Sequence, residues 1–123
     1  MRASFLTAVL LAISSGAFAT DCLQPKTPYD STYCAALKMV QRDRVLTEQY
    51  QRTLIILNAE QKKTLIDAQN RWITQRDAQC TQGKVLRLNC VNDKMARRIT
   101  LLQQIEHACH NARCGGAPIS QIK

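Results

Sequence analysis

Four side chains near the C-terminus have the chemistry of a metal site. His107, Cys109, His110 and Cys114 lie within eight residues, and zinc binds imidazole nitrogens and thiolates in tetrahedral sites. The two histidines are one turn apart on a predicted helix, whereas Cys109 lies on its apolar stripe, facing away from at least one of them. The two cysteines could instead form a disulfide, so the compartment decides which chemistry is favoured.

Residues 1–19 predict that compartment. Arg2 gives a positive start, Phe5 to Ile13 an apolar run, and Ala17-Phe18-Ala19 a cleavage site, which are the three parts of a secretory signal. The apolar run is shorter than the roughly 20 residues of a membrane-spanning helix, and no later segment is free of charge for that length. We expect a mature chain of residues 20–123 that is periplasmic or secreted and has no transmembrane segment.

The cysteine content fits an oxidising compartment. All six cysteines lie beyond the signal, in a chain whose small core alone would leave it marginally stable. We therefore expect three disulfides, with no metal and no other cofactor. Many connectivities are open to six cysteines, and sequence does not choose among them. We favour pairing of neighbours, because each bridge then closes a short loop: Cys22 with Cys34, Cys80 with Cys90, and Cys109 with Cys114.

No residue pattern predicts catalysis. The chain lacks an H-E-x-x-H run, a nucleophile elbow and a glycine-rich phosphate loop. Its nine acidic residues include no evident pair of general acid and base. We therefore interpret the chain as a binding protein and not as an enzyme.

Helical periodicity dominates the mature chain, and no run alternates cleanly between apolar and polar residues as a strand would. Ser31 or Thr32 can cap a first helix. Asn58 with Gln61 resembles a capping box at the start of a second helix, although a single long helix through this point remains an alternative.

Three apolar stripes predict which helix faces meet. The second helix ends near Cys80, before Gly83, and a third follows Cys90 as far as the glycine pair at 115–116. We expect an all-α domain, in which an antiparallel helical hairpin is extended to a three-helix bundle and stapled by disulfides. The stripe residues are, helix by helix, Met39, Leu46, Tyr50, Thr53 and Leu57; Leu65, Ala68, Trp72, Ile73 and Ala78; and Val91, Met95, Ile99, Leu102, Ile105, Cys109 and Ala112.

The stretch from Ala68 to Cys80 is the most informative motif, because one predicted helix there carries the only tryptophan, an Arg-Asp pair and a cysteine. Its pattern, A-Q-x-x-W-I-x-x-R-D-x-x-C, resembles the signature of the LprI-like lysozyme-inhibitor family of small helical domains from bacterial envelopes. With matches elsewhere, the resemblance covers about residues 22–102. The matching signature residues are Asp43, Leu46, Tyr50, Gln69, Trp72, Arg76, Asp77 and Arg98.

We interpret these signature residues as mainly structural. In an antiparallel hairpin of the first two helices, Asp43 lies level with Arg76. We therefore expect ion pairs between Asp43 and Arg76 or between Asp77 and Arg98, which would fix the alignment of the helices. Trp72 is expected to be the central anchor of the core.

The resemblance implies a protein that binds and inhibits lysozyme, and animal-type lysozyme is the expected partner. The segment between Cys80 and Cys90 is the candidate contact, because a closed loop loses little entropy on binding and its cations suit a cleft lined with carboxylates. In the alternative interpretation, its apolar side chains simply fold back onto the helices. The candidate contact residues are Lys84, Val85, Leu86, Arg87 and Leu88.

The net charge favours a different partner. Without Arg2 the mature chain keeps sixteen of seventeen basic residues against nine acidic ones, a net charge of +7. Animal lysozymes are also basic, so the two proteins would repel at long range. The alternative function is therefore that of a basic periplasmic protein that binds an acidic envelope polymer or an acidic protein partner. Nucleic acid is not expected, because the basic residues are scattered and aromatic residues are few.

Overall fold

The computed structural model describes residues 21–110, Cys114 and Ile122. The predictions for residues 1–19, for Ala112 and for the glycine pair at 115–116 lie outside this part of the chain. The elements are α1 (Pro28–Ile55), α2 (Ala59–Cys80), β1 (Thr81–Gln82), β2 (Val85–Leu86) and α3 (Leu88–His110). The all-α prediction is confirmed, with the addition of one short β-hairpin. None of the helices described is both long enough and apolar enough to cross a membrane.

A capping box sets the start of α1. The Thr27 hydroxyl accepts a hydrogen bond from the Asp30 N–H at 3.0 Å, and the Asp30 carboxylate accepts one from the Thr27 N–H at 3.1 Å. Pro28 occupies the first helical position, where no N–H is needed. The predicted cap at Ser31 or Thr32 is therefore wrong, because Thr27 and Asp30 provide both halves of a box one turn earlier.

The break between α1 and α2 is at the predicted position. Asn58 Oδ1 accepts from the Gln61 N–H at 2.9 Å, and Gln61 Oε1 accepts from the Asn58 N–H at 3.0 Å. These two bonds form the capping box expected from the sequence, so a single long helix is excluded. The Gln61 amide also donates to the Cys114 carbonyl at 2.8 Å, which ties Cys114 to the start of α2.

The core forms around α3, which packs along α1 and over a shorter stretch against α2. Because α2 packs chiefly against α3, it buries only a narrow face. Ile73 and Ala78 are exposed, although the sequence placed them on the apolar stripe. The buried apolar residues are Leu46, Leu57, Leu65, Ala68, Cys80, Val91, Met95, Leu102, Ile105 and Ile122.

Hydrogen bonds made by polar side chains fix α1 against α3. The Arg42 guanidinium donates to the Asn92 carbonyl at 2.7 Å, and the Asn92 amide donates to the Ala35 carbonyl at 2.9 Å. Nearer the other end of the two helices, the buried Gln49 amide donates to the Glu106 carboxylate. Such pairs select one alignment of the helices, because a shifted α3 would leave buried polar groups unpaired.

Three disulfides join neighbouring cysteines. Cys22 is bonded to Cys34, Cys80 to Cys90, and Cys109 to Cys114. This is the connectivity favoured from the sequence. The first bridge holds the N-terminal segment against α1, the second closes the β-hairpin, and the third joins the last turn of α3 to Cys114.

Candidate functional site

A short β-hairpin connects α2 and α3. Its strands are antiparallel, and the turn between them is formed by Gly83 and Lys84. Gly83 has a φ of 61°, in the left-handed region that glycine adopts without steric cost. The Cys80–Cys90 disulfide closes the base of the hairpin, and Cys80 is fully buried in the core. The hairpin is therefore anchored at its base and held in one shape.

The tip of this hairpin presents apolar and cationic side chains to solvent. Val85 is 65% exposed and Leu86 is 41% exposed. Lys84 is also exposed, and its ammonium makes no hydrogen bond or ion pair within the described part of the chain. The structure thus brings together the first three of the five residues proposed from the sequence, and Val85 does not fold back onto the helices.

The other two predicted contact residues, Arg87 and Leu88, lie at the base of the hairpin and not at its tip. The Arg87 guanidinium donates to the Gln79 carbonyl at 2.9 Å, and the Arg87 backbone N–H donates to the Cys80 carbonyl at 2.9 Å. Leu88 is the first residue of α3 and is half-buried. Arg87 and Leu88 therefore support the hairpin more directly than they extend its tip.

An open groove of about 490 Å³ adjoins the hairpin, between α1, the end of α2 and the start of α3. Val91 and Met95 of α3 form its buried part. Val40 of α1 and Leu86 of β2 line it with partly exposed side chains. Leu86 belongs to both the hairpin and the groove, so the two form one continuous surface that is partly apolar.

The charges in this groove are not paired as the sequence suggested. Asp43 and Arg76 both line it, but the Arg76 guanidinium binds the neighbouring Asp77 carboxylate at 2.8 Å. Asp43 is exposed and makes no ion pair with any residue that the structure describes. The predicted Asp43–Arg76 pair is wrong, because Asp77 lies beside Arg76 on α2 whereas Asp43 is across the groove. The Asp43 carboxylate remains available to a partner.

Signature residues from two helices meet at a buried guanidinium. Arg98 of α3 is only 3% exposed, and its Nε donates to Gln69 Oε1 of α2 at 2.8 Å. Its guanidinium carbon lies 5.5 Å from the centre of the Trp72 ring, and that of Arg76 lies 5.3 Å from the same ring. The predicted Asp77–Arg98 ion pair is also wrong, because the neutral Gln69 occupies the position beside Arg98.

The surroundings of Arg98 are poorly suited to a charge. Its Nη2 is buried and makes no hydrogen bond, a defect that costs about 1–3 kcal/mol. Burial lowers the pKa of the Arg98 guanidinium, an effect opposed by the nearby Tyr50. Burial likewise raises the pKa of the Tyr50 hydroxyl, and here the Arg98 charge acts in the opposite direction. The Trp72 ring offers partial compensation through a cation–π contact.

Sequence reasoning assigned Trp72 to the centre of the core, but its side chain is only partly buried. It lines a second, smaller pocket between α2 and α3 and packs against the core from outside. One signal could have revealed the cluster: Gln69, Trp72 and Arg76 are three and four residues apart and therefore share one face of α2.

The candidate metal ligands near the C-terminus have another role. Cys109 and Cys114 are bonded to each other, so neither thiolate is free to bind a metal. His110 Nε2 lies 3.9 Å from a carboxylate oxygen of Glu106, one turn earlier on α3. Across residues 21–110, 114 and 122, no three His, Cys, Asp or Glu side chains form a group that could hold a metal ion.

Comparison with known proteins identifies the family. A family model described as lysozyme inhibitor LprI matches residues 22–102, which include the hairpin, the groove and the Arg98 cluster. No curated protein and no solved structure gives a significant match. The three disulfides and the family together indicate an extracytoplasmic protein. Because the match covers well over half of the 123 residues, the chain belongs to the LprI lysozyme inhibitor family.

Proposed function

We propose that this protein is a non-catalytic inhibitor that binds an animal-type lysozyme through the tip of the β-hairpin. The observation that carries the proposal is the exposure of Lys84 and Val85 on a loop whose base is fixed by the buried Cys80. A loop already held in its bound shape loses little conformational entropy on association. A protruding tip is also the shape that can enter a concave enzyme cleft.

The chemistry of the tip suits the cleft of a glycosidase. Such enzymes hold two carboxyl groups beside the bond that they cleave. The Lys84 ammonium has no partner within the described residues and is free to pair with such a carboxylate. Val85 adds apolar area that becomes buried on contact.

The groove beside the hairpin offers a second contact of opposite charge. Asp43 stands at its edge without an ion pair among the described residues, next to the exposed Val40. The basic surface of a lysozyme can place a cation against this carboxylate. Local attraction at Asp43 and at Lys84 would then act after the long-range repulsion between two basic proteins has been overcome.

The experiment is a lysis assay on bacterial cell walls with animal-type lysozyme and increasing amounts of the exported, oxidised protein. We expect saturable inhibition near a stoichiometric ratio at low salt. Near-physiological salt should leave the inhibition unchanged or strengthen it, because salt screens the repulsion between the two proteins. Lys84→Ala should weaken inhibition, whereas Lys63→Ala should not, because Lys63 is also exposed but lies near the opposite end of α2.

Failure to inhibit at either salt concentration would refute the proposal, and so would equal inhibition by the wild type and Lys84→Ala. The alternative is a basic periplasmic protein that binds an acidic envelope polymer or an acidic protein partner. The excess of basic residues favours it. Binding to an anionic polymer should weaken steeply as salt rises, unlike insertion of a loop into a cleft.

A further inference from the structure

We propose that the smaller pocket between α2 and α3 binds an oxyanion, meaning a carboxylate or a phosphate group. This pocket has a volume of about 240 Å³ and is lined by Trp72, Lys94, Arg97, Arg98 and Leu101. It is distinct from the hairpin and the groove, since none of these five residues lines the groove. The proposal therefore does not depend on lysozyme inhibition.

The charged residues that line the pocket are all cations. Three of the five lining residues are cations, and none is acidic. The Arg97 side chain is exposed and makes no hydrogen bond or ion pair within residues 21–110. Lys94 is held in place by a hydrogen bond to Gln79. Asp93, the neighbouring acidic residue on α3, is exposed and does not form an ion pair with either cation.

Arg98 distinguishes this pocket from an ordinary basic surface. Its side chain is almost completely buried, and its Nη2 has no hydrogen-bond acceptor. A guanidinium presents donors in a planar fork that matches the two oxygens of a carboxylate or phosphate. An oxyanion bound beside Arg98 would offset a charge whose described neighbours are Gln69, the Trp72 ring and Tyr50, none of them a carboxylate.

The remaining wall is formed by Trp72 and Leu101, which are both partly buried. An apolar wall lowers the local dielectric constant, which strengthens the attraction between opposite charges. The volume of about 240 Å³ accommodates a small anionic group. That group can be a free ion or an acidic group carried by a larger molecule such as a sugar.

Trp72 makes the proposal directly testable, because it is the only tryptophan and it lines the pocket. The oxidised full-length mature protein is titrated with inorganic phosphate, with N-acetylmuramic acid as a carboxylate-bearing sugar, and with neutral N-acetylglucosamine. Sodium chloride holds the ionic strength constant. We expect a saturable change in Trp72 fluorescence with one or both anions and none with the neutral sugar. Calorimetry on the same solutions provides a second readout.

The matched variants are Arg97→Gln and Arg71→Gln. Both residues are exposed arginines, but only Arg97 lines the pocket. Loss of a charge-assisted hydrogen bond should weaken anion binding about tenfold in Arg97→Gln, with no change in Arg71→Gln. Binding of phosphate alone would indicate a free-ion or phosphate site, and binding of the acidic sugar would indicate a glycan end group.

Three results would overturn the proposal. The first is the absence of any fluorescence change or heat with both anions. The second is an equal response from Arg97→Gln and the wild type. The third is a response that sodium chloride alone reproduces, since that would show screening of charge and not occupation of the pocket.

Discussion

Val85→Ala tests whether the hairpin tip is the surface that contacts lysozyme. Val85 is 65% exposed in the free protein, so its side chain contributes little to the core. If the tip enters a cleft, the exposed part of the side chain becomes buried. The substitution should therefore weaken binding and leave folding unchanged.

The magnitude follows from the exposed fraction. Changing valine to alanine removes two methyl-sized groups, each worth about 0.8 kcal/mol when transferred from water to an apolar environment. Only the exposed 65% of Val85 gains this burial on binding, which leaves about 1 kcal/mol. That loss corresponds to an inhibition constant about fivefold higher.

The assay is the rate of cell-wall lysis at a fixed lysozyme concentration, with wild type, Val85→Ala and Ile55→Ala titrated in parallel. Ile55 is 76% exposed at the end of α1, far from the hairpin, and serves as the matched control. Thermal unfolding is measured on the same samples. Both variants should unfold close to the wild type, because exposed substitutions usually change stability by less than about 0.5 kcal/mol.

Two results would contradict this reasoning. Inhibition by Val85→Ala at the wild-type constant would show that the tip does not become buried on binding. An equal loss in Ile55→Ala would show that any exposed apolar side chain contributes, and that the hairpin has no special role.

Three further predictions concern stability. Gln69→Leu removes the acceptor of Arg98 Nε, so urea denaturation should show a loss of about 2 kcal/mol. Replacing Cys80 and Cys90 by serine should cost about 3 kcal/mol for a loop with a sequence separation of 10, and should abolish inhibition by freeing the hairpin. Because the pKa of the Tyr50 hydroxyl is raised in the folded protein, its contribution to stability is fully present below about pH 10 and is lost as pH rises through the folded-state pKa. In an ultraviolet titration, one tyrosine should lose its proton at a higher pH than the others, and Tyr50→Phe should remove that step.

Each of these predictions has a control in the same chain. Gln75→Leu changes an exposed glutamine on α2 and should leave the urea midpoint unchanged. Serine at Cys109 and Cys114 should also lower stability but should preserve inhibition, because that disulfide lies at the opposite end of α3 from the hairpin. Tyr29→Phe should leave the late titration step in place, since Tyr29 is exposed. A variant that behaves like its control would contradict the corresponding prediction.

Local signals in the chain predicted the helices well. The capping box of Asn58 and Gln61 involves residues three apart, so its geometry depends on one turn of backbone and can be recognised from the letters alone. The same signal was present in Thr27 and Asp30, where the sequence interpretation chose a later cap. The β-hairpin was missed because two-residue strands are too short to show alternation.

Contacts between helices were predicted less well. The expected pair of Asp43 with Arg76 assumed that helix level selects the partner, and Asp77 with Arg98 was the alternative pair. In the structure Arg76 instead binds its neighbour Asp77, and Arg98 binds Gln69. Partner choice depends on helix rotation and on the packing of α3 against both other helices, which no local pattern specifies.

The sequence by itself determined the all-α class, the resemblance to a family and the expectation of disulfides, because each follows from neighbouring residues or from composition. It favoured a break at Asn58 but left one long helix as an alternative, which the structure excludes. Only the tertiary structure decided which side chains are available. It exposed Val85 on an anchored hairpin, left Asp43 without an ion pair among the described residues, and buried Arg98 beside Trp72. Exposure and unpaired charge depend on how distant segments pack, and that packing is a property of the whole fold.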